Sequence, residues 1–305
     1  MMVNEPSVLE ALSQITAEEN IFIDEPLSKH LYTKLGGNAD FFVTPANRAE
    51  VQKIVRYANQ ANISFTLLGN GSNLIVRDGG IRGIVVSPKK FTNIYREGNT
   101  LIAESGARII DVSYRALEEK LTGLEFACGI PGTVGGALYM NAGAYGGEIK
   151  DCLEKCVVVD PDGQLLTLQA SELALDYRTS NIPEKGYIVL EAHFSLLPGD
   201  VNTIKETMAN LTEKRESKQP LEYPSCGSVF KRPAGYFAGK LIQDSELQGK
   251  GIGGAEVSTK HAGFIVNKNN ATATDYIAVI EMVQRTVKEK FGVDLEREVR
   301  ILGED

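Results

Sequence analysis

The segment Cys128–Glu148, CGIPGTVGGALYMNAGAYGGE, sets Gly129, Gly132, Gly135, Gly136, Gly143, Gly146 and Gly147 among the small residues Ala137, Ala142 and Ala144. No ordinary helix or strand tolerates so many glycines, because each costs backbone entropy. Glycine supplies positive φ and close approach of main-chain N–H groups to a flat or anionic ligand. A second loop, Gly69-Asn70-Gly71-Ser72-Asn73, lies between the apolar runs Phe65–Leu68 and Leu74–Val76. The two loops together point to two walls of one cofactor cradle, one for a pyrophosphate and one for a ring system. The plainer alternative is a pair of glycine-rich turns with packing roles.

The first loop is not a Rossmann fingerprint. Gly69-Asn70-Gly71 lacks the third glycine, and Leu74 opens another apolar run where a helix should start. Its N–H groups, with Ser72 and Asn73, can still form an anion nest. Further on, Ser228 stands in Pro224-Ser225-Cys226-Gly227-Ser228-Val229-Phe230-Lys231-Arg232-Pro233. Gly227 permits a tight approach there, and Lys231 and Arg232 bring charge. This is not a GxSxG elbow, and no histidine stands at a diagnostic position. Cys226 is a conceivable nucleophile without an evident base. Alternation along Leu295–Arg300 puts Glu296, Glu298 and Arg300 on one face of an extended segment. Arg178, after Tyr177, suits bidentate recognition of a carboxylate.

The elements that must position these residues are legible from periodicity. Residues 7–20 read as a helix, and Arg48–Ala61 as an amphipathic helix with Val51, Ile54, Val55 and Ala58 on one face. Strand-like runs follow at 64–68, 74–76, 83–87 and 100–104, then a helix over 111–121. Cys156–Asp160 and Gln164–Leu168 flank the turn Pro161-Asp162-Gly163 and read as a hairpin, with a long strand over 187–197. Pro198-Gly199-Asp200 breaks the pattern and marks the expected domain boundary. Thr203 with Glu206 reads as a capping box for a helix to about Ser217. Thr272 with Asp275 reads as another, for a helix that Gly292 stops. A short strand over 298–302 ends the chain. Alternating strands, helices and glycine loops fit an α/β or α+β fold.

The bulk numbers narrow the function. A net charge of −8 over 305 residues argues against general nucleic-acid binding. No apolar run approaches the roughly 20 residues of a membrane span. The N-terminal MMVNEPSVLEALSQ lacks the basic flank and apolar core of a signal peptide. The four cysteines form no CxxC pair, and none of the three histidines lies near Cys152 and Cys156, so no metal site is expected. Reduced thiols and a cytoplasmic location follow as the simplest expectation.

The glycine loops, Tyr177-Arg178, Gly227-Ser228 and Leu295–Arg300 stand in the order and spacing of the UDP-N-acetylenolpyruvoylglucosamine reductase family, which the chain resembles from about Leu31 to Leu302. Its length and the short Tyr177–Tyr187 region resemble the smaller class, without the inserted substrate-closing loop. The resemblance implies an α+β chain with an FAD-binding fold of the vanillyl-alcohol oxidase type and a smaller C-terminal α+β substrate domain. The expected division is 1–200, in two subdomains split near 90, and 201–305. It implies non-covalent FAD, NADPH as hydride donor and a UDP-sugar substrate, with no obligate protein partner evident. No histidine lies between Gly69 and Leu74 to bond a flavin.

Carried over residue by residue, Gly69, Asn70, Gly71, Ser72, Asn73 and Leu74 would hold the FAD pyrophosphate. Ile130, Pro131, Gly132, Thr133, Gly135 and Gly136, with Asn141, Ala142 and Gly143, would line the rest of the FAD site. Ser228 would be the proton donor, helped by a neighbouring cation or water, with Lys231 a candidate. Arg178 and a protonated Glu298 would stabilise the charge that hydride addition leaves on the substrate carboxylate. Tyr177, Arg215, Lys218, Gly227, Lys231 and Arg232 would border the UDP-sugar; Arg232 stands where the longer class has Asn. The reaction implied is reduction of the enolpyruvyl ether of UDP-N-acetylglucosamine enolpyruvate to UDP-N-acetylmuramate in peptidoglycan synthesis. An FAD-dependent oxidase or dehydrogenase of the same fold, acting on another alcohol or hydroxy acid, is the alternative. A non-catalytic flavin-binding module is the more distant one.

Overall fold

A computed structural model describes residues 5–305. The chain forms two compact units, each discontinuous in sequence. The first comprises the chain up to Asp24, Asp40–Gly69 and Gly83–Glu213; the second comprises Glu25–Ala39, Asn70–Arg82 and Lys214–Asp305. The sequence suggests a single cut at 200/201. The last crossing falls instead at 213/214, inside the helix Val201–Lys218, and two short upstream segments join the C-terminal unit. Among the described residues no helix is long and apolar enough to cross a membrane.

In the first unit a five-stranded antiparallel sheet runs in the order Leu165–Gln169, Leu153–Val159, Ile188–Ser195, Thr100–Glu104, Ile94–Glu97. The expected hairpin is its edge, with Val159 opposite Leu165. The strand Ile188–Ser195 is central and buried along most of its length, and its polar Glu191 and His193 satisfy each other at 2.8 Å. The helix Ile109–Glu118 puts Ile109, Val112 and Ala116 into the same core as Ala103, Leu138, Val158 and Phe194. The helix Arg48–Gln60 buries its apolar stripe in two directions. Ile54 and Ala58 meet Leu12, Phe41 and Ile84, while Val51 and Val55 meet Phe91, Val159 and Leu190. Asn47 caps it by accepting from Glu50 N at 3.0 Å, a contact worth about 1 kcal/mol.

Two helix starts differ from the expectation. The helix over 7–20 is instead Glu5–Ser13 followed by a short 3-10 turn, Glu18–Asn20. The buried Asn20 side chain donates to Thr16 Oγ1 at 2.9 Å. Side chains of this kind compete with helical backbone bonds and favour a break. The Thr203–Glu206 capping box does not form. Asp200 takes the position, accepting from both the backbone N and Oγ1 of Thr203 at 2.9 Å, and the helix begins at Val201.

In the second unit a three-stranded antiparallel sheet, Gly251–Ile252, Ala255–Val257 and Ile265–Asn267, packs on the helix Ala273–Phe291. That helix buries Tyr276, Ile277, Ile280, Val283 and Val287 at helical spacing. Its start is secured twice: the Thr272–Asp275 capping box forms as expected, and Asp78 accepts from Ala273 N and Thr274 N at 2.8 and 2.9 Å. Gly292, at φ 70, ends it. The last strand is shorter than expected, Arg300–Leu302, and runs parallel to Leu74–Val76. Glu298 and Val299 are not part of it because their N–H groups turn to Val229 O.

Candidate active site

Gly69 and the glycine-rich segment around Thr133 meet in the first unit. Gly69 ends the run after the strand Phe65–Leu67, and a Cβ built on it would lie 2.7 Å from Thr133 Oγ1. Thr133 caps the short helix Val134–Tyr139, its Oγ1 accepting from Gly136 N at 3.3 Å. Gly135 N donates to Ser105 O at 2.9 Å, and a Cβ on Gly135 would come within 3.2 Å of Ser105 Cβ. Ser105 Oγ is buried and has no hydrogen-bond partner in the protein. Gly136 is exposed, and Ile130, Pro131 and Gly132 are half-buried. A closely packed glycine wall with an orphaned buried hydroxyl fits a flat polar cofactor such as FAD.

Asn141, at φ 42, is buried, and its amide is fully engaged. Nδ2 donates to Glu148 Oε2 and to Asp176 O, each at 2.9 Å, and Oδ1 accepts from Lys150 N at 2.9 Å. Its side chain therefore braces the loop from Gly143 to Lys150 against Asp176. Ala142 N is likewise committed, to Ala137 O at 2.8 Å. Arg178, also left-handed at φ 53, donates from Nη2 to Gly143 O at 2.8 Å and lies over the Tyr177 ring at 5.1 Å.

The remaining candidates belong to the second unit. Gly71, at φ 62, is buried against His30 and Leu31; a Cβ there would sit 2.9 Å from His30 O. Asn73 fastens this loop to the C-terminal segment. Its Nδ2 donates to Glu298 O at 3.2 Å, and its carbonyl accepts from Arg300 N at 3.2 Å. Glu298 N in turn donates to Val229 O at 2.8 Å, which puts Glu298 beside Ser228. Asn73, Glu298 and Ser228 thus converge although 225 residues separate the first two.

Ser228 follows Gly227, whose φ of 77 turns the chain. Its Oγ is half-buried and makes one long bond, to Phe230 O at 3.4 Å, which leaves the hydroxyl available. Opposite it stands Phe264, in an isolated antiparallel bridge. His261 reaches the same place, a neighbourhood the sequence did not reveal. A Cβ on Gly263 would lie 3.4 Å from Ser228 Oγ and 3.1 Å from His261 Cε1. His261 Nδ1 accepts from Gly263 N at 3.1 Å, and burial, with Lys218 adding, holds its pKa below the usual 6.5. Burial thus favours the neutral ring, against a backbone hydrogen bond that favours the charged one. No sequence motif marks it, because the Ser228–Phe264 bridge that brings it in is a tertiary contact.

Two candidates have partners that the sequence does not show. Cys226 is not a nucleophile: burial pushes its thiol up to about 12, and Tyr276 OH lies 3.2 Å from Sγ. Lys231, the suggested helper of Ser228, pairs with Glu296 at 2.6 Å. Arg232 stacks over Phe237 at 3.9 Å and donates to Tyr236 O at 3.3 Å, within its own loop. Arg215 and Lys218 occupy the last turn of the helix Val201–Lys218, where cations favour the helix dipole.

Comparison with known proteins adds to this geometry. Residues 219–302 match the family profile of UDP-N-acetylenolpyruvoylglucosamine reductase, C-terminal domain, and residues 39–169 match an FAD binding domain. A UDP-N-acetylenolpyruvoylglucosamine reductase of Oceanobacillus iheyensis is 69% identical over 294 residues, 96% of each chain. One of Staphylococcus aureus is 60% identical over 303 residues, 99% of this chain and 98% of its own. The crystal structure of UDP-N-acetylenolpyruvylglucosamine reductase from Thermus caldophilus superimposes with a TM-score of 0.80 at 32% identity, covering 92% of this chain and 97% of that one. The glucose dehydrogenase Phl p 4.0202 shares the fold alone, with a TM-score of 0.52 at 16% identity over 64% of this chain and 44% of its own. The fold is the α+β FAD-binding type of vanillyl-alcohol oxidase with a C-terminal α+β part, and the C-terminal match disfavours an oxidase of other alcohols. On identity across nearly its whole length, the chain belongs to the UDP-N-acetylenolpyruvoylglucosamine reductase family.

Proposed function

We infer that the chain is an FAD-containing, NADPH-dependent oxidoreductase that reduces UDP-N-acetylglucosamine enolpyruvate to UDP-N-acetylmuramate. This step belongs to peptidoglycan synthesis, and so to cell-wall biogenesis, cell shape and division. Family membership supports the reaction. The observation that carries the site assignment is the convergence of Ser228, Glu298 and Asn73 in one unit. We place the protein in the cytoplasm, where NADPH and nucleotide sugars are held; its free, buried cysteines agree with a reducing compartment. We further propose the substrate-binding role for the C-terminal unit and the cofactor role for the glycine loops.

FAD, when bound, would supply hydride transfer between NADPH and the terminal carbon of the enolpyruvyl group. Gly69 to Leu74, with Ile130 to Gly136 and Gly143, are the residues that would hold the cofactor. Asn141 and Ala142 shape that wall through their intramolecular bonds. Hydride addition leaves negative charge on the adjacent carbon and its carboxylate. Arg178 offers a fork of N–H donors to that carboxylate, and Glu298 completes its polarisation. Ser228 Oγ gives its proton to the carbon bearing the ether oxygen, which closes the reduction: one hydride and one proton added across the double bond. Arg215 and Lys218 meet the diphosphate, with Tyr177, Gly227, Lys231 and Arg232 bordering the sugar nucleotide.

One experiment tests the whole reading. Purified protein should be yellow, be bleached anaerobically by NADPH, and regain colour on adding the enolpyruvyl UDP-sugar without oxygen. Reoxidation by oxygen and an alcohol-dependent turnover, with no response to the UDP-sugar, would sink it.

A further inference from the structure

Arg178 is held by a dense set of contacts whose purpose the reaction does not by itself explain. Its left-handed backbone is uncommon for a residue with a Cβ. Reciprocal bonds between Asp176 and Thr179, at 3.2 and 3.1 Å, close the turn around it. The buried Asn141 amide then links this turn, through Asp176 O, to Glu148 Oε2. Glu148 pairs directly opposite Gly143 in the two-stranded ladder Gly143–Ala144 with Gly147–Glu148. At Gly143 a Cβ would lie 2.8 Å from Glu148 Cγ and 3.2 Å from Arg178 Nη1. The acid and the guanidinium therefore flank the same bare Cα, and Arg178 Nη2 also donates to the Gly143 carbonyl.

We propose that Glu148 is a positioning residue for Arg178: its carboxylate and the Gly143 carbonyl together orient the guanidinium that receives the substrate carboxylate. The proposal rests on the reading of Arg178 given above. Glu148 is well suited to stay charged. A hydrogen-bonded ion pair with Lys150 at 3.0 Å, the Asn141 amide and the Arg178 charge hold its carboxyl below the usual carboxylate range, against the opposing effect of burial. Glu148 thus stands as an anion between Lys150 and Arg178 in the electrostatics of this turn. Without the Glu148 charge the guanidinium loses an anion that limits its orientations. Orientation of a binding fork affects the step that uses it and leaves other steps alone.

E148Q keeps the size and one acceptor for Asn141, so the fold and FAD content should persist, as thermal melting and flavin absorbance check. Under anaerobic stopped flow, E148Q should raise the KM for the enolpyruvyl UDP-sugar about tenfold, with flavin reduction by NADPH within about twofold of the parent. E148D, which retains the charge, should recover most of the loss. In an R178A background E148Q should add nothing further, since residues acting through one contact are non-additive. An unchanged KM in E148Q, or a full additional loss on top of R178A, overturns the role of Glu148 while leaving Arg178 in place. If R178A itself leaves reoxidation by substrate unchanged, the reading of Arg178 fails, and the role assigned to Glu148 fails with it.

Discussion

Gly69 and Thr133, one from each glycine-rich loop, touch: a methyl group on Gly69 would lie 2.7 Å from the Thr133 hydroxyl that caps the following helix. G69A must therefore displace Thr133 from Gly136 N, at a cost of about 1 kcal/mol for the lost cap, and open the cofactor wall. Lower flavin content per protein is the expected result. Adding T133A to G69A relieves the crowding, so the double variant should hold more flavin than G69A. Equal flavin in G69A and the parent shows that the contact has no part in cofactor binding.

Gly71 combines a left-handed φ of 62 with close packing against His30 O. G71V should lose FAD occupancy and melt several degrees lower. Gly98 separates the two causes, because its φ is 60 and a Cβ there meets nothing within 4 Å. Strain from positive φ is about 1–2 kcal/mol. G98A should therefore lower stability by that amount and leave flavin content unchanged. A folded G71V with stoichiometric FAD removes the loop from the cofactor site.

Ser228→Ala removes a hydroxyl that has only a 3.4 Å bond within the protein, so the fold should survive. Flavin reduction by NADPH should stay within a few-fold of the parent. Reoxidation by the enolpyruvyl substrate should slow about 10²-fold or more, with partial recovery in Ser228→Cys. Stopped-flow absorbance separates the two steps. Equal slowing of both would mean that Ser228 positions the cofactor and donates no proton.

Arg215→Ala and Lys218→Ala should weaken UDP-sugar binding while NADPH reduces the flavin at the parental rate. Each lost contact to a diphosphate is worth about 1.5–3 kcal/mol, or roughly a ten- to hundredfold change in affinity. Fluorescence titration with the UDP-sugar measures this directly. Parental affinity in both variants makes these cations a solvated helix end.

His261 gives the fold a pH dependence with a defined sign. Burial and Lys218 depress its folded pKa below the unfolded value of 6.5. Below pH 6.5 the unfolded chain takes up a proton that the folded ring refuses, so stability is present above 6.5 and is lost as pH falls toward the folded value. In urea melts at pH 7.5 and 5.5, the stability difference between parent and H261Q should shrink or reverse at the lower pH. A constant difference shows that the ring does not titrate in this window.

Cys226 is fully buried, with its thiol pushed up to about 12. At pH 8 about one part in 10⁴ is thiolate, so alkylation should await unfolding. Mass spectrometry after iodoacetamide should find Cys226 unmodified in native protein and modified in urea. Rapid native labelling would contradict the burial.

Local sequence determined the elements whose signals lie within a few residues. The Thr272–Asp275 box, the Gly292 stop, the hairpin around Pro161–Gly163 and the stripe of Arg48–Gln60 formed as the spacing required. So did the glycine loops, since their composition is incompatible with regular structure. The Thr203–Glu206 box failed for an equally local reason: Asp200, one turn earlier, is the stronger acceptor for Thr203. What the sequence could not fix was adjacency. Asn73 reaches Glu298, Glu298 reaches Val229, and the segment of His261 comes to Ser228 through the Ser228–Phe264 bridge and the Val229 N to Gly263 O bond. Such contacts depend on how elements pack, and no short-range spacing encodes them. The same holds for charge: Lys231 looked available until Glu296 appeared beside it, and Cys226 looked reactive until its burial raised the cost of ionising it. Residue types decided what chemistry was on offer; only tertiary packing decided which groups were neighbours, and in what protonation state.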